Sequence, residues 1–207
     1  MTNLELETPR GPARVRLYRV RGARGALLLG HGAGGGVDAA DLQTASQAAQ
    51  GERFSVALVE QPYRVAGRRS PAPAAHLDVA WLEVVAWLRA RELRRLPLIF
   101  GGRSMGARVA CRTAAAGGAA GVLGLAFPLL PPRRAAATKP PVSRLTELEA
   151  TGVPTLVVQG SRDAFGMPPP GAGRLVVTVA GDHSLRTDLA TVGAAVGDWL
   201  AGLILDA

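Results

Sequence analysis

A serine framed by glycines, directly after a short apolar run, constrains this chain more than any other feature. The run Leu96-Pro97-Leu98-Ile99-Phe100 reads as a buried strand, and Met105 to Ala116 reads as the helix that follows. Between them stands Gly101-Gly102-Arg103-Ser104-Met105-Gly106, a Gly-x-Ser-x-Gly pattern. The chain must reverse there within about two residues, which holds the serine in a strained backbone conformation. Gly102 and Gly106 flank it because a side chain at either place would strike the neighbouring strand or helix. The hydroxyl is thereby pushed out at a helix N-terminus, where backbone N–H groups face a developing anion. Gly-x-Ser-x-Gly occurs by chance in many chains, so the strand–turn–helix context carries the argument.

The rest of the sequence supplies a frame for that turn. Leu4 to Glu7 and Arg14 to Val20 alternate around Pro9-Arg10-Gly11-Pro12 and read as an antiparallel hairpin. Ala26 to Leu29 and Ser55 to Glu60 are apolar runs expected of strands buried on both faces, and Gly121 to Phe127, Thr155 to Val158 and Arg174 to Val179 read as further strands. Asp38 or Asp41 is placed to cap a helix running toward Gln50. His76 to Arg91 has helical spacing, with Leu77, Ala80, Trp81, Val84, Val85 and Leu88 as its apolar stripe. A short helix falls around Ser143 to Ala150, and Thr187 to Leu205 is an amphipathic closing helix. Gln61-Pro62-Tyr63, the Arg/Pro-rich stretch Arg64 to Pro73, and Pro128 to Pro141 read as breaks and loops.

Strand and helix alternate from Ala26 onward, so right-handed crossovers give an α/β fold. The expectation is a mostly parallel sheet of about eight strands with helices on both faces. At 207 residues the chain suits a single domain. Connections are too short for a large lid domain, and only Pro128 to Pro141 could partly cover a cleft.

In such a sheet, ligands gather at the carboxyl ends of the strands. Ser104 follows one strand, Asp163 follows Val157-Val158-Gln159-Gly160-Ser161-Arg162, and His183 follows the last within Ala180-Gly181-Asp182-His183-Ser184. A serine hydroxyl needs a base to take its proton during attack, and histidine suits that task. The imidazole needs a carboxylate to fix its tautomer. His183 lies 20 residues after Asp163, room for one loop, one strand and one turn. A fourth strand end carries Gly30-His31-Gly32-Ala33-Gly34-Gly35-Gly36, whose backbone can approach a substrate carbonyl closely. The N–H groups of Met105 and Ala33 are the candidate oxyanion donors, with Gly34 the alternative to Ala33.

Blander roles exist for each. Ser104 could be a plain helix N-cap and Asp163 a turn residue beside Arg162, while Asp182 is a rival acid whose side chain should point away from its neighbour His183. His31 is expected to brace its own loop, and His76 to begin a helix. The glycine-rich turn does not match a dinucleotide fingerprint, because its third glycine falls one residue early. Arg103, Tyr63 and Arg64, with Arg133 and Arg134, would lie near the cleft and could favour a substrate bearing a carboxylate or phosphate. Solvated arginines are the commoner arrangement. No metal or cofactor is called for.

Composition closes off other classes. Hydrophobic content of 48% with 19% charged residues excludes a disordered chain. No apolar stretch reaches the roughly 18 residues of a membrane span, so no membrane partner is expected. Met1-Thr2-Asn3-Leu4-Glu5 does not resemble a signal peptide. The net charge of +8 comes almost wholly from scattered arginine, Lys139 being the sole lysine, and aromatics are 4%. That pattern argues for coding bias and against a nucleic-acid partner. The single cysteine, Cys111, reads as a buried structural thiol, which fits a cytoplasmic setting.

Taken together, these segments resemble the α/β-hydrolase superfamily. They are most similar to the small dienelactone-hydrolase-like group that includes the hydrolase-like domain of NSL-complex subunit three and its testis-expressed relative. The matching stretches are Gly30-His31-Gly32-Ala33-Gly34-Gly35, Gly101-Gly102-Arg103-Ser104-Met105-Gly106, Val153 to Gly160 with Asp163, and Gly181-Asp182-His183-Ser184-Leu185. Lys139-Pro140-Pro141 before a short helix also fits. The resemblance covers nearly the whole chain and implies a minimal, cofactor-free serine hydrolase with Ser104, Asp163 and His183 as its triad. Dienelactone hydrolases commonly use cysteine, so serine points to an esterase-type acyl transfer on a small-molecule ester or thioester, by a monomer or homodimer. Some relatives serve in protein assemblies, and the competing reading is a catalytically silent interaction module.

Overall fold

The computed structural model describes residues 1–132 and 141–203. Its opening strands, β1 (Thr2–Leu6) and β2 (Ala13–Tyr18), pair antiparallel with Leu4 opposite Val15. Six parallel strands follow: β3 (Gly25–Gly30), β4 (Phe54–Glu60), β5 (Leu98–Arg103), β6 (Gly121–Leu125), β7 (Thr155–Gly160) and β8 (Arg174–Val179). All eight join one sheet in the order β1-β2-β4-β3-β5-β6-β7-β8, with β2 antiparallel to β4. Crossing from β3 back to β4 and then forward to β5 puts the centre of the sheet at β3 and β5. Gly30 is in register with Gly102 there, so the glycine-rich turn and the serine turn leave the sheet side by side.

Alternation along the strands divides the core into two layers. Leu28, Phe100, Val122 and Val157 face a cluster with α3 (Ala74–Ala90), α4 (Met105–Gly117) and α5 (Leu145–Glu149). Leu27, Leu29, Ile99, Leu123 and Leu156 face the other way, onto α1 (Ala40–Gly51) and α6 (Leu189–Gly202). The six apolar residues expected on the buried stripe of α3 are its six buried residues. Cys111 is buried in the first layer, where desolvation pushes its thiol up to about 12 and leaves it protonated.

Several local expectations need correction. Neither Asp38 nor Asp41 caps α1; Ala39 holds that position without a side-chain bond. Asp38 instead pairs with Arg16 across the sheet edge, and Asp41 with Arg103. The break after β4 contains one helical turn, α2 (Pro62–Val65), which Pro62 starts with its fixed φ. β6 ends at Leu125, two residues early, because Ala126, after making the last ladder bond to Val158 O, turns to φ 48°. The closing helix starts at Leu189, with Asp188 as the cap accepting from Thr191 N at 3.1 Å. Among the described residues nothing inserted after β6 forms a lid domain. Arg133, Arg134 and Lys139-Pro140 lie outside the described residues.

Candidate active site

Ser104 occupies the turn between β5 and α4 at φ 53°, ψ −107°. A β-carbon in that region costs of order 1–3 kcal/mol, sustained only where surrounding structure over-determines the backbone. Here Ser104 N donates to Leu125 O at 2.8 Å on the neighbouring strand. Glycine at 102 and 106 is a matter of clearance. A Cβ on Gly102 would lie 2.5 Å from Gly30 O, and one on Gly106 would stand 2.5 Å from Gly30 C. The end of β3 thus packs directly against the start of α4. Although Ser104 is the N-cap of α4, its side chain makes no capping bond.

The hydroxyl has another partner. Ser104 Oγ is 2.9 Å from His183 Nε2, and His183 Nδ1 is 2.8 Å from Asp163 Oδ2. The carboxylate can only accept, so the proton sits on Nδ1 and Nε2 is left as the acceptor facing the serine. Asp163 is 1% exposed at its side chain against 22% for His183. Its Oδ1 accepts from Phe165 N at 2.9 Å, and the Phe165 ring lies 4.4 Å from the imidazole. Asp182, the rival acid, turns outward and accepts from Ser184 N and Oγ. The loop carrying His183 crosses the end of β7 so closely that a Cβ on Gly160 would lie 2.9 Å from Asp182 C.

Gln159 was not expected at this site. It is fully buried on β7, and its Nε2, with two hydrogens to give, lies 2.8 Å from Asp163 Oδ2, 2.9 Å from Gly166 O and 3.1 Å from Phe127 O. It therefore aims the carboxylate and ties the loops after β6 and β7 together. The signal was in the sequence: a lone amide closes an otherwise apolar strand, four residues before the acid.

Two buried side chains, His31 and Tyr63, hold the turn after β3. His31 is fully buried and braces its loop as expected. Gln61 N donates to its Nε2 at 3.1 Å, which requires the proton on Nδ1, and Nδ1 lies 2.8 Å from Gly32 O. Burial also holds this imidazole below its ordinary pKa, so it stays neutral. In a trans peptide the N–H points opposite the carbonyl, so holding Gly32 O fixes the direction of Ala33 N–H. Tyr63 was expected to meet substrate; instead it is buried, and its hydroxyl donates to Ala33 O at 2.9 Å, fixing Gly34 N–H in the same way. Desolvation pushes that phenol up to about 12, which keeps it a donor. The turn lies against the nucleophile, since a Cβ on Gly32 would be 3.8 Å from Ser104 Cβ.

Arg103 is also engaged internally, with Nε 2.9 Å from Asp41 Oδ2 and Nη2 donating to His183 O at 2.9 Å. Arg64 gives Nη1 to Arg68 O at 3.4 Å, and among the described residues no hydrogen bond joins it to Ser104, Asp163 or His183. An apolar groove of about 330 Å³ lies beside Phe165, lined by Leu130, Pro131, Pro132, Pro141 and Ala164. A larger cleft of about 580 Å³, around Thr151–Thr155 and Gly171–Arg174, opens at the amino ends of β7 and β8, remote from the serine. Among the described residues no group of three or more His, Cys, Asp or Glu could hold a metal ion. No helix there is long and apolar enough to cross a membrane.

Comparison with known proteins bears on this arrangement. No curated protein matches the sequence significantly. Solved structures do match in fold. An alpha-beta serine hydrolase homologue from Coxiella burnetii superposes with TM-score 0.73 at 16% identity, covering 97% of each chain. A serine hydrolase without lid from Xanthomonas campestris gives 0.73 at 19% identity, covering 98% of this chain and 96% of that one. Dienelactone hydrolase from Anabaena variabilis gives 0.76 at 15% identity, covering 99% and 98%. A family model described as alpha/beta hydrolase domain matches residues 23–191, from the turn before β3 into α6. That span contains the serine turn, the glycine-rich turn and the loop of His183, and the chain belongs to the alpha/beta hydrolase domain family.

Proposed function

We propose that this chain is a serine hydrolase that cleaves a small carboxylic ester or thioester through an acyl-enzyme. The observation that carries the reading is the unbroken line Ser104 Oγ, His183 Nε2, His183 Nδ1, Asp163 Oδ2, with contacts of 2.9 and 2.8 Å. His183 takes the hydroxyl proton as Ser104 attacks the carbonyl carbon. Asp163 stabilises the imidazolium that forms. The N–H groups of Met105, at the start of α4, and Ala33, aimed by His31, hold the oxyanion, and each is worth about 3–4 kcal/mol to the barrier. His183 then passes its proton to the leaving alcohol or thiol. It next activates a water that returns the acid and frees the serine.

The groove beside Phe165 supports an apolar acyl or alkoxy group on the substrate. With Arg103 and Tyr63 occupied internally, Arg64 is the one member of that set among the described residues left to favour a carboxylate or phosphate on the substrate. The dienelactone hydrolase from Anabaena variabilis shares the fold, but serine at position 104 favours esters that acylate an alkoxide nucleophile. The resemblance of the motif segments to the NSL-complex group does not favour a silent module, since Ser104, His183 and Asp163 lie in hydrogen-bond contact.

Short p-nitrophenyl esters and a fluorophosphonate probe test this. Wild type is expected to turn over and to be labelled, and Ser104→Ala to lose about 10⁶ in kcat, to background. Labelling or turnover that survives Ser104→Ala above a tenth of wild type would overturn the assignment.

A further inference from the structure

One guanidinium connects three segments of the site. Arg103 ends β5, one residue before the serine, and its side chain runs across the carboxyl end of the sheet. Nε lies 2.9 Å from Asp41 Oδ2 in the first turn of α1, and Nη2 donates to the carbonyl of His183 at 2.9 Å. Nη1 sits beneath the turn after β3, where a Cβ on Gly32 would approach it to 2.9 Å. The glycine there leaves room for the charge. Asp41 is 1% exposed at its side chain and Arg103 20%, so the pair is largely shielded from water.

The segment it grips has little support of its own. Between the end of β8 at Val179 and the start of α6 at Leu189 there is no strand or helix. Gly181 and Leu185 take φ of 123° and 53°. Arg162 N donates to Gly181 O at 2.8 Å, and Leu185 is buried as an anchor two residues after the histidine. Asp163 holds the His183 ring, but Arg103 holds its backbone.

We propose that Arg103, fixed by Asp41, is a positioning residue that pins the backbone of His183 so that Nε2 stays within reach of Ser104. The inference rests on the Ser–His–Asp reading above. Arginine suits the role because its planar fork offers donors in diverging directions, whereas a lysine ammonium is a single point. A lysine could neutralise Asp41, but it could not also hold His183 O. Asp41 supplies the counter-charge that keeps the guanidinium from turning to solvent.

The test compares wild type, Arg103→Lys, Asp41→Asn and the double variant by ester kinetics, fluorophosphonate labelling rate, and hydrogen exchange of the amides of residues 181–187. Arg103→Lys should lower kcat and labelling about ten- to a hundredfold, since small misplacements of a reacting group cost that much. KM should stay within about threefold of wild type, and exchange in residues 181–187 should rise about tenfold with the core strands unchanged. Asp41→Asn should shift the same readouts in the same direction. The double variant should be no slower than Arg103→Lys, because both act through one contact. Wild-type kcat and exchange in Arg103→Lys would overturn the proposal. So would a raised KM at unchanged kcat, which would make Arg103 a substrate contact. A wild type that neither labels nor turns over would count against Ser104 as nucleophile, and the exchange comparison would still decide the role of Arg103.

Discussion

Replacing Asp163 by asparagine changes one atom and should stop the chemistry. Both carboxylate oxygens now accept: Oδ1 from Phe165 N at 2.9 Å, Oδ2 from Gln159 Nε2 and His183 Nδ1 at 2.8 Å each. An amide can accept at only one of those places. If its oxygen takes the Phe165 contact, its NH₂ meets the Gln159 amide and forces His183 to carry its proton on Nε2. The base then faces Ser104 as a donor. If the oxygen stays toward His183, the NH₂ opposes Phe165 N–H. A wrong tautomer costs about 10⁴ in kcat in a triad, or about 5.5 kcal/mol of barrier. A buried donor left without an acceptor costs a further 1–3 kcal/mol of stability, roughly. Stopped-flow acylation by p-nitrophenyl acetate reads the first quantity and urea unfolding the second. An Asp163→Asn variant acylated within tenfold of the wild-type rate would refute the argument for His183 as the base.

Two further outcomes follow from packing and burial. Gly160→Ala should displace the His183 loop, because the new Cβ would meet Asp182 C at 2.9 Å, so kcat should drop about 100-fold and urea unfolding should show a loss of about 1–3 kcal/mol; unchanged kcat would refute the close approach. His31 is neutral in the fold, with its pKa held below the unfolded value near 6.5 by burial. Below about pH 6.5 the unfolded chain takes up a proton that the fold does not, so stability falls as pH drops, by up to about 1.4 kcal/mol per pH unit. Urea unfolding between pH 5 and 7 should show that slope flattened in His31→Gln, and an identical slope in both proteins would contradict it.

What the sequence disclosed, and what it hid, divides by the range of the physics involved. The serine turn was legible because Gly-x-Ser-x-Gly between an apolar run and a helix is a local pattern, even though what requires glycine at 102 and 106 is the close approach of Gly30 on β3. The strands were legible because central parallel strands such as β3 and β4 are buried on both faces and read as unbroken apolar runs. The stripe of α3 was legible from its spacing alone. Side-chain partners were not. Arg103 looked like a substrate contact, yet it bonds to a carbonyl 80 residues away, and no local pattern records that pairing. Asp41 looked like a helix cap for the same reason. Tyr63 sits at the start of a single helical turn too short to leave a periodic trace, and its bond to Ala33 spans 30 residues. Gln159 could have been read as a polar interruption of a buried strand close to the acid.

A covalent bond to one oxygen decides whether Ser104 is the nucleophile. Wild-type protein mixed with excess p-nitrophenyl ester, quenched in acid and digested, should release a burst of about one nitrophenolate per chain and carry the acyl group on the peptide containing Ser104. An acyl group found on another residue, or none despite steady turnover, would contradict it.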